Sequence, residues 1–192
     1  MAARRVSEAP GTDGLWTFLF IDMLVFLMIF VVYLGERARQ VALYTASQVH
    51  LDELVGLAGT LLLLSSSWMV AEAVRAARRH DGRRVRRCLG LAWWLGLAFA
   101  LNKVAEYGLK IGAGLTPATN PFFSFYYLIT VVHLLHLLAG MACIAHCRRQ
   151  ASARLGSARY LSGLENVGLF WHLVDVLWIF IFPLLYLVGR AA

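Results

Sequence analysis

The chain has 192 residues, 60% of them hydrophobic and 15% charged, against about 45–50% and about 25% in an ordinary soluble domain. That balance excludes a water-soluble monomer. Eighteen Lys and Arg against eleven Asp and Glu leave a formal charge of +7, which in so apolar a chain serves orientation and contact with anionic headgroups rather than nucleic acid.

Five apolar segments are long enough to cross roughly 30 Å of hydrocarbon as helices: residues 15–34, 54–74, 89–111, 122–146 and 167–188. Arg4 and Arg5 precede the first. Its apolar run is nevertheless longer than the 7–15 residues of a signal-peptide core and no small-x-small cleavage site follows, so it is predicted as a helix of the mature protein. The polar connections around 35–53, 75–88, 112–121 and 147–166 are short, and no long internal repeat is visible. The expectation is one all-α membrane domain over residues 1–192.

Cations orient it. Arg4, Arg5, Arg75, Arg78, Arg79, Arg83, Arg84, Arg86, Arg87, Arg148, Arg149, Arg154 and Arg159 fall on one side of an alternating topology; the other side has mainly Arg37, Arg39 and Arg190. The positive-inside rule then predicts a cytoplasmic N-terminus and an outward C-terminus. Cys88, Cys143 and Cys147 lie near the cytoplasmic face; Cys143 and Cys147, four apart on one helix face, could form a metal or redox pair, but a reducing environment and an odd count favour inert thiols.

Ionisable groups at membrane depth each demand a partner, a wet cavity or a function. Asp22 in the first span can relay protons, pack as a hydrogen-bonded residue or hold a lipid. Thr60 with Ser65, Ser66 and Ser67 forms a small polar stripe in the second span that suits close helix approach. Lys103 and Glu106 in the third span are three apart and can pair on one helix face. His133, His136 and Gly140 in the fourth share a stripe. The two imidazoles can ligate a metal only with a further ligand such as His172; interhelical hydrogen bonding is the simpler reading. In the fifth span Glu165 and His172 are nearly aligned, His172 and Asp175 are close enough to bond, and Pro183 is expected to kink the helix. Trp16, Trp68, Trp93, Trp94 and Trp178 read as interface anchors. No Walker loop, Gly-x-Ser-x-Gly elbow or His-Glu-x-x-His helix is present in the sequence.

Leu164-Glu165-Asn166, then Phe170-Trp171-His172-Leu173-Val174-Asp175-Val176-Leu177-Trp178 and Leu185-Tyr186-Leu187, closely resemble the last helix of subunit III of the haem-copper oxidases. The stretch from Thr60 to Ser67, the His-x-x-His segment within 123–140 and the pair Glu106-Tyr107 are similar to other helices of that family. Larger members have seven helices, and the resemblance implies that the five spans correspond to the last five. Asp22-Met23-Leu24-Val25-Phe26, Lys103 to Lys110 and Phe182-Pro183-Leu184-Leu185-Tyr186 look most like the short NorE-type proteins associated with nitric oxide reductase.

The resemblance implies a cytochrome c oxidase subunit III-like helix bundle in a bacterial plasma membrane, with no catalytic centre, haem, copper or other metal of its own. Its implied partners are membrane phospholipid and a haem-copper catalytic subunit, either an oxidase or a nitric oxide reductase. The position matching Asp22 is commonly a glutamate linked to proton uptake; aspartate is one methylene shorter. Lys103, Glu106, His133, His136, Glu165, His172 and Asp175 would form the polar interior or contact lipid. The alternative reading is an independent, proton-coupled small transporter built on Asp22, Lys103, Glu106 and the His172/Asp175 pair, against which stand the absence of an inverted repeat and of helices broken at midplane.

Overall fold

The computed structural model describes residues 11–188; Arg4, Arg5 and Arg190 lie outside them. Six α-helices follow one another: α1 (Asp13–Arg39), α2 (Val41–Gln48), α3 (Glu53–Arg78), α4 (Gly82–Gly112), α5 (Pro121–Arg154) and α6 (Ala158–Phe182), the last continued by a π-helical turn, Pro183–Leu187. No strand occurs among the described residues. All but α2 are long and apolar enough to cross a membrane.

Most of these helices outrun the apolar segments. α5 extends to Arg154 and α6 begins at Ala158, so the connection between them shrinks to three residues, 155–157. Hydropathy ends where arginines begin, but Arg, Ala and Gln are good helix formers, and the backbone continues helically past the apolar run. The starts are capped chemically. Asp52 Oδ1 accepts the N–H of Leu54 (2.9 Å), Asp81 that of Arg84 (3.0 Å), Asn120 that of Phe123 (3.0 Å, with Pro121 in the first turn) and Ser157 that of Tyr160 (3.2 Å). Each satisfies an N–H that has no partner inside its helix. α3 stops at a Schellman turn: Asp81 N–H donates to Ala76 O and His80 N–H to Ala77 O, with His80 in the left-handed region at φ 59°.

α3, α4, α5 and α6 pack in a ring in that order, closing where α6 meets α3, and α1 lies outside the ring against α5 and α6. The ring closes on small residues. A Cβ at Gly140 of α5 would stand 2.7 Å from Trp171 of α6, and one at Gly96 of α4 3.0 Å from the same indole. Glycine at both positions lets the fully buried Trp171 lie between two helix backbones. By contrast α1 buries only Leu19, Phe26 and Tyr33 and exposes apolar side chains such as Phe20, Ile21, Met28 and Val31 around the rest of its surface.

The 35–53 connection is not a plain loop. α1 runs on to Arg39, and α2 covers the end of the bundle away from the arginine-rich connections, its Tyr44 ring edge-on to Phe122 with centroids 5.7 Å apart. Pro183 converts the end of α6 into a π turn, and carbonyls freed there find donors from other elements: Tyr33 Oη donates to Leu184 O (3.3 Å), Gln48 Nε2 to Leu185 O (3.0 Å) and an Arg37 guanidinium N–H to Val188 O (3.1 Å). Backbone leaves the regular helical ladder at membrane depth only where protein groups satisfy it.

Trp16, Trp68 and Trp94 are exposed, and Trp93 is partly buried against the core. Trp178 is 1% exposed, inside the ring, and donates its Nε1–H to Thr60 Oγ1 at 3.0 Å. The sequence groups it with the tryptophans expected at span ends or lipid-facing positions, but its helix face turns toward α3.

Candidate functional site

Two polar centres sit among apolar side chains. The first joins the last turns of α4 to the π turn. Lys103 Nζ donates to Glu106 Oε2 at 2.6 Å and to Tyr186 Oη, while Lys110 Nζ lies 3.1 Å from Glu106 Oε1. Tyr186 Oη donates back to the same carboxylate at 2.8 Å. Lys103, Glu106 and Lys110 are all buried. Two ammonium groups on one carboxylate leave an excess of one positive charge, and aromatic faces meet it: Lys103 Nζ is 4.7 Å from the Trp178 ring centroid and 5.0 Å from that of Tyr186, and Lys110 Nζ 5.6 Å from that of Tyr126. The 103/106 pair follows the helix spacing. Glu106 and Lys110, four apart, carried the same signal; Tyr186, 80 residues further on, carried none.

The second centre lies between α1 and the ring. Asp22 Oδ1 is 3.1 Å from His136 Nε2, and His136 Nδ1 is 2.8 Å from Val132 O. A carbonyl accepts only, so Nδ1 carries a proton. The contact between Nε2 and Oδ1 needs one more proton, shared by imidazole and carboxyl. The pair is therefore either imidazolium with carboxylate or neutral imidazole with carboxylic acid, and both states are neutral overall. Asp22 Oδ2 is buried without a partner.

The remaining candidates separate. His133 Nε2 is 3.1 Å from Val174 O on α6, with the ring against Phe99 and Trp178, an interhelical hydrogen bond of the kind expected. His172 bonds through Nδ1 to Ser67 Oγ on α3, not to Asp175; both Asp175 oxygens are buried without a partner. Spacing put His172 and Asp175 within reach of each other; instead both face Ser67 of α3, which bonds His172 and lies beside the Asp175 carboxyl. His133, His136 and His172 do not converge on a common point. Among the described residues no group of three His, Cys, Asp or Glu side chains is placed to hold a metal ion.

Glu165 belongs to neither centre. It accepts two guanidinium N–H bonds from Arg78, at 2.8 and 3.1 Å, tying α6 to α3 at the arginine-rich end. Seven residues of helix carry it about 10 Å from His172, out of the polar interior. Glu72, not singled out by the sequence reading, does the same work nearby by pairing with Arg75 (3.1 Å) and Arg84 (2.5 Å). Ser66 donates to Ala92 O on α4 at 2.9 Å, so Ser66, like Ser67 with His172, fastens helices as well as letting them approach. Cys88 and Cys147 are buried and Cys143 is exposed, all three as free thiols.

The comparisons with known proteins agree with this architecture. The family model of cytochrome c oxidase subunit III matches residues 11–190. Cytochrome c oxidase subunit 3 of Thermostichus vulcanus is 32% identical over 179 residues, covering 92% of this chain and 87% of its own length. The same subunit of Synechocystis sp. is 30% identical, with coverages of 91% and 74%. Cytochrome bo(3) ubiquinol oxidase subunit 3 of Buchnera aphidicola (subsp. Acyrthosiphon pisum) is 28% identical, with coverages of 96% and 90%. A five-span helical bundle whose buried polar side chains close on one another, matched by this family from residue 11 to residue 190, belongs to the cytochrome c oxidase subunit III family of the haem-copper oxidases.

Proposed function

We propose that the chain is a non-catalytic accessory subunit, or an assembly factor, of a haem-copper respiratory enzyme in a bacterial plasma membrane, with its arginine-rich end toward the cytoplasm. The family match over residues 11–190 carries this reading. Relatives named as subunit 3 of a cytochrome c oxidase and of a ubiquinol oxidase support a haem-bearing catalytic partner. The apolar surface of α1 is the face such a partner or lipid would cover. Between α1 and α6 runs an apolar groove of about 340 Å³, lined by residues including Phe20, Met23, Leu27, Leu173 and Phe180; its shape and lining suit a phospholipid acyl chain.

A finer reading, a NorE-type subunit serving a nitric oxide reductase, has one specific support. The three stretches with that resemblance carry Asp22, the Lys103–Glu106–Lys110 cluster and Tyr186, every member of the two polar centres except His136.

Within this reading Asp22 and His136 hold a proton at the Oδ1 to Nε2 contact, and Asp22 is the group that would exchange it during proton uptake by the enzyme. In Asp22→Asn, assembled normally, turnover should fall and its pH dependence should change; unaltered turnover and pH profile would remove the proton role while leaving the subunit role intact. The subunit role itself is tested by tagging the chain, extracting it from its native membrane in mild detergent and identifying co-purifying proteins. A haem-bearing catalytic subunit in near-equal amount is expected, and its identity separates oxidase from nitric oxide reductase. Recovery of the chain alone after crosslinking, with proton-coupled flux in proteoliposomes, would instead establish the transporter.

A further inference from the structure

The arginines are not equivalent. Arg78 is paired with Glu165, and Arg75 and Arg84 with Glu72. Arg83, Arg86, Arg87 and Arg148 have no carboxylate partner among the described residues, yet all four line one groove of about 680 Å³ between the first turns of α4 and the facing part of α5.

The groove is built across two helices. Arg148 Nε donates to Arg86 O at 3.3 Å, so this side chain of α5 lies against the α4 backbone, and the absence of a side chain at Gly90 makes the space: a Cβ there would stand 3.3 Å from Arg148 Nε. Arg86 is held from the other side by Ser152 Oγ of α5. Four unneutralised guanidinium groups in one concavity repel one another and are stabilised by an anion with several oxygen acceptors.

The lining changes character along α4. Arg83, Arg86 and Arg87 give way on the same face to Gly90, Leu91 and Trp94, and Leu91 and Trp94 are 54% and 64% exposed. From Arg83 to Trp94 the helix rises about 16 Å, from headgroup level into the hydrocarbon. A soluble anion would use only the first part of this surface. An amphiphile with its anionic end on the arginines and its chains along Leu91 and Trp94 uses all of it. We propose that the groove between α4 and α5 binds an anionic phospholipid, its headgroup phosphate held by Arg83, Arg86, Arg87 and Arg148. This site is separate from the apolar groove between α1 and α6 and does not depend on which enzyme the subunit serves.

The test is native mass spectrometry of the full-length chain in detergent with equimolar phosphatidylglycerol and phosphatidylcholine. The wild type should retain phosphatidylglycerol preferentially, and inorganic phosphate should not displace it. In Arg83→Gln/Arg87→Gln that retention should fall by about 30-fold, the loss expected of two cations near an anionic headgroup. Arg75→Gln/Arg79→Gln, which removes equal charge from the same connection, should leave it unchanged. Should the first variant fail to fold, Arg148→Gln on the other helix addresses the same groove and should still lower retention. Equal retention in the folded groove variants, equal loss in the Arg75/Arg79 control, or displacement by inorganic phosphate would each overturn the proposal.

Discussion

The two polar centres solve the same problem differently. In the Lys103–Glu106–Lys110–Tyr186 cluster, inside the helix ring, every charged group has an ionic or hydrogen-bonded partner and the surplus cation lies against aromatic faces. In the Asp22–His136 pair, between the ring and the loosely attached α1, one carboxyl oxygen is bonded and the other is not. A closed network resists change because any altered member leaves a buried partner exposed to the full cost of desolvation. An open pair at a helix seam can gain or lose a partner, and with it a proton, at smaller cost. The buried polar groups of these two centres thus divide between a network closed on itself and a pair that leaves one carboxyl oxygen without a partner.

Glu106→Gln should break the comparison most severely. It leaves two buried ammonium groups without a counter-charge, and the expected loss is about 3–5 kcal/mol, read as a lowered thermal unfolding midpoint in detergent or as failure to accumulate. If Glu106→Gln were as stable as wild type, the closed cluster would not be the structural element described here. Gly140→Ala probes the ring without touching charge: its Cβ would meet Trp171 at 2.7 Å, and overpacking of this kind costs about 1–3 kcal/mol.

His136→Ala sharpens the contrast by removing the partner of Asp22. It should cost less than Glu106→Gln, about 1–3 kcal/mol, the cost of leaving a polar group unsatisfied. Double-mutant analysis with Asp22→Asn should then show coupling, since the two side chains touch. No coupling would separate the pair. The smallest effect is expected from Asp175→Asn. Neither oxygen of that carboxyl makes a close hydrogen bond, and the Ser67 hydroxyl beside it can donate equally to an amide oxygen, so unfolding should shift by less than about 1 kcal/mol. A large loss there would reveal a donor to Asp175 and make it a third closed site.

Much of this was legible residue by residue. The spans follow from apolar runs of bilayer length, and the Lys103–Glu106 pair and the histidine stripe follow from helical spacing. The caps at Asp52, Asp81, Asn120 and Ser157 were also there to be read, each just before a helix start. Spacing could not show which neighbouring helix a face would meet. His172 is three residues from Asp175 yet bonds Ser67, 105 positions away; Asp22 meets His136 across 114 positions. Trp178 and Glu165 went astray for the same reason, the first buried inside the ring and the second drawn out to Arg78 at its end.

The sequence by itself determined what the backbone must do in a bilayer, because apolar length, helix periodicity and capping act within a few residues of one another. It also carried the family resemblance, since the motifs are local strings. The tertiary structure alone decided which buried polar group is satisfied and by whom. Those partners lie on different helices, and their approach depends on where glycines such as Gly96 and Gly140 let the backbones close.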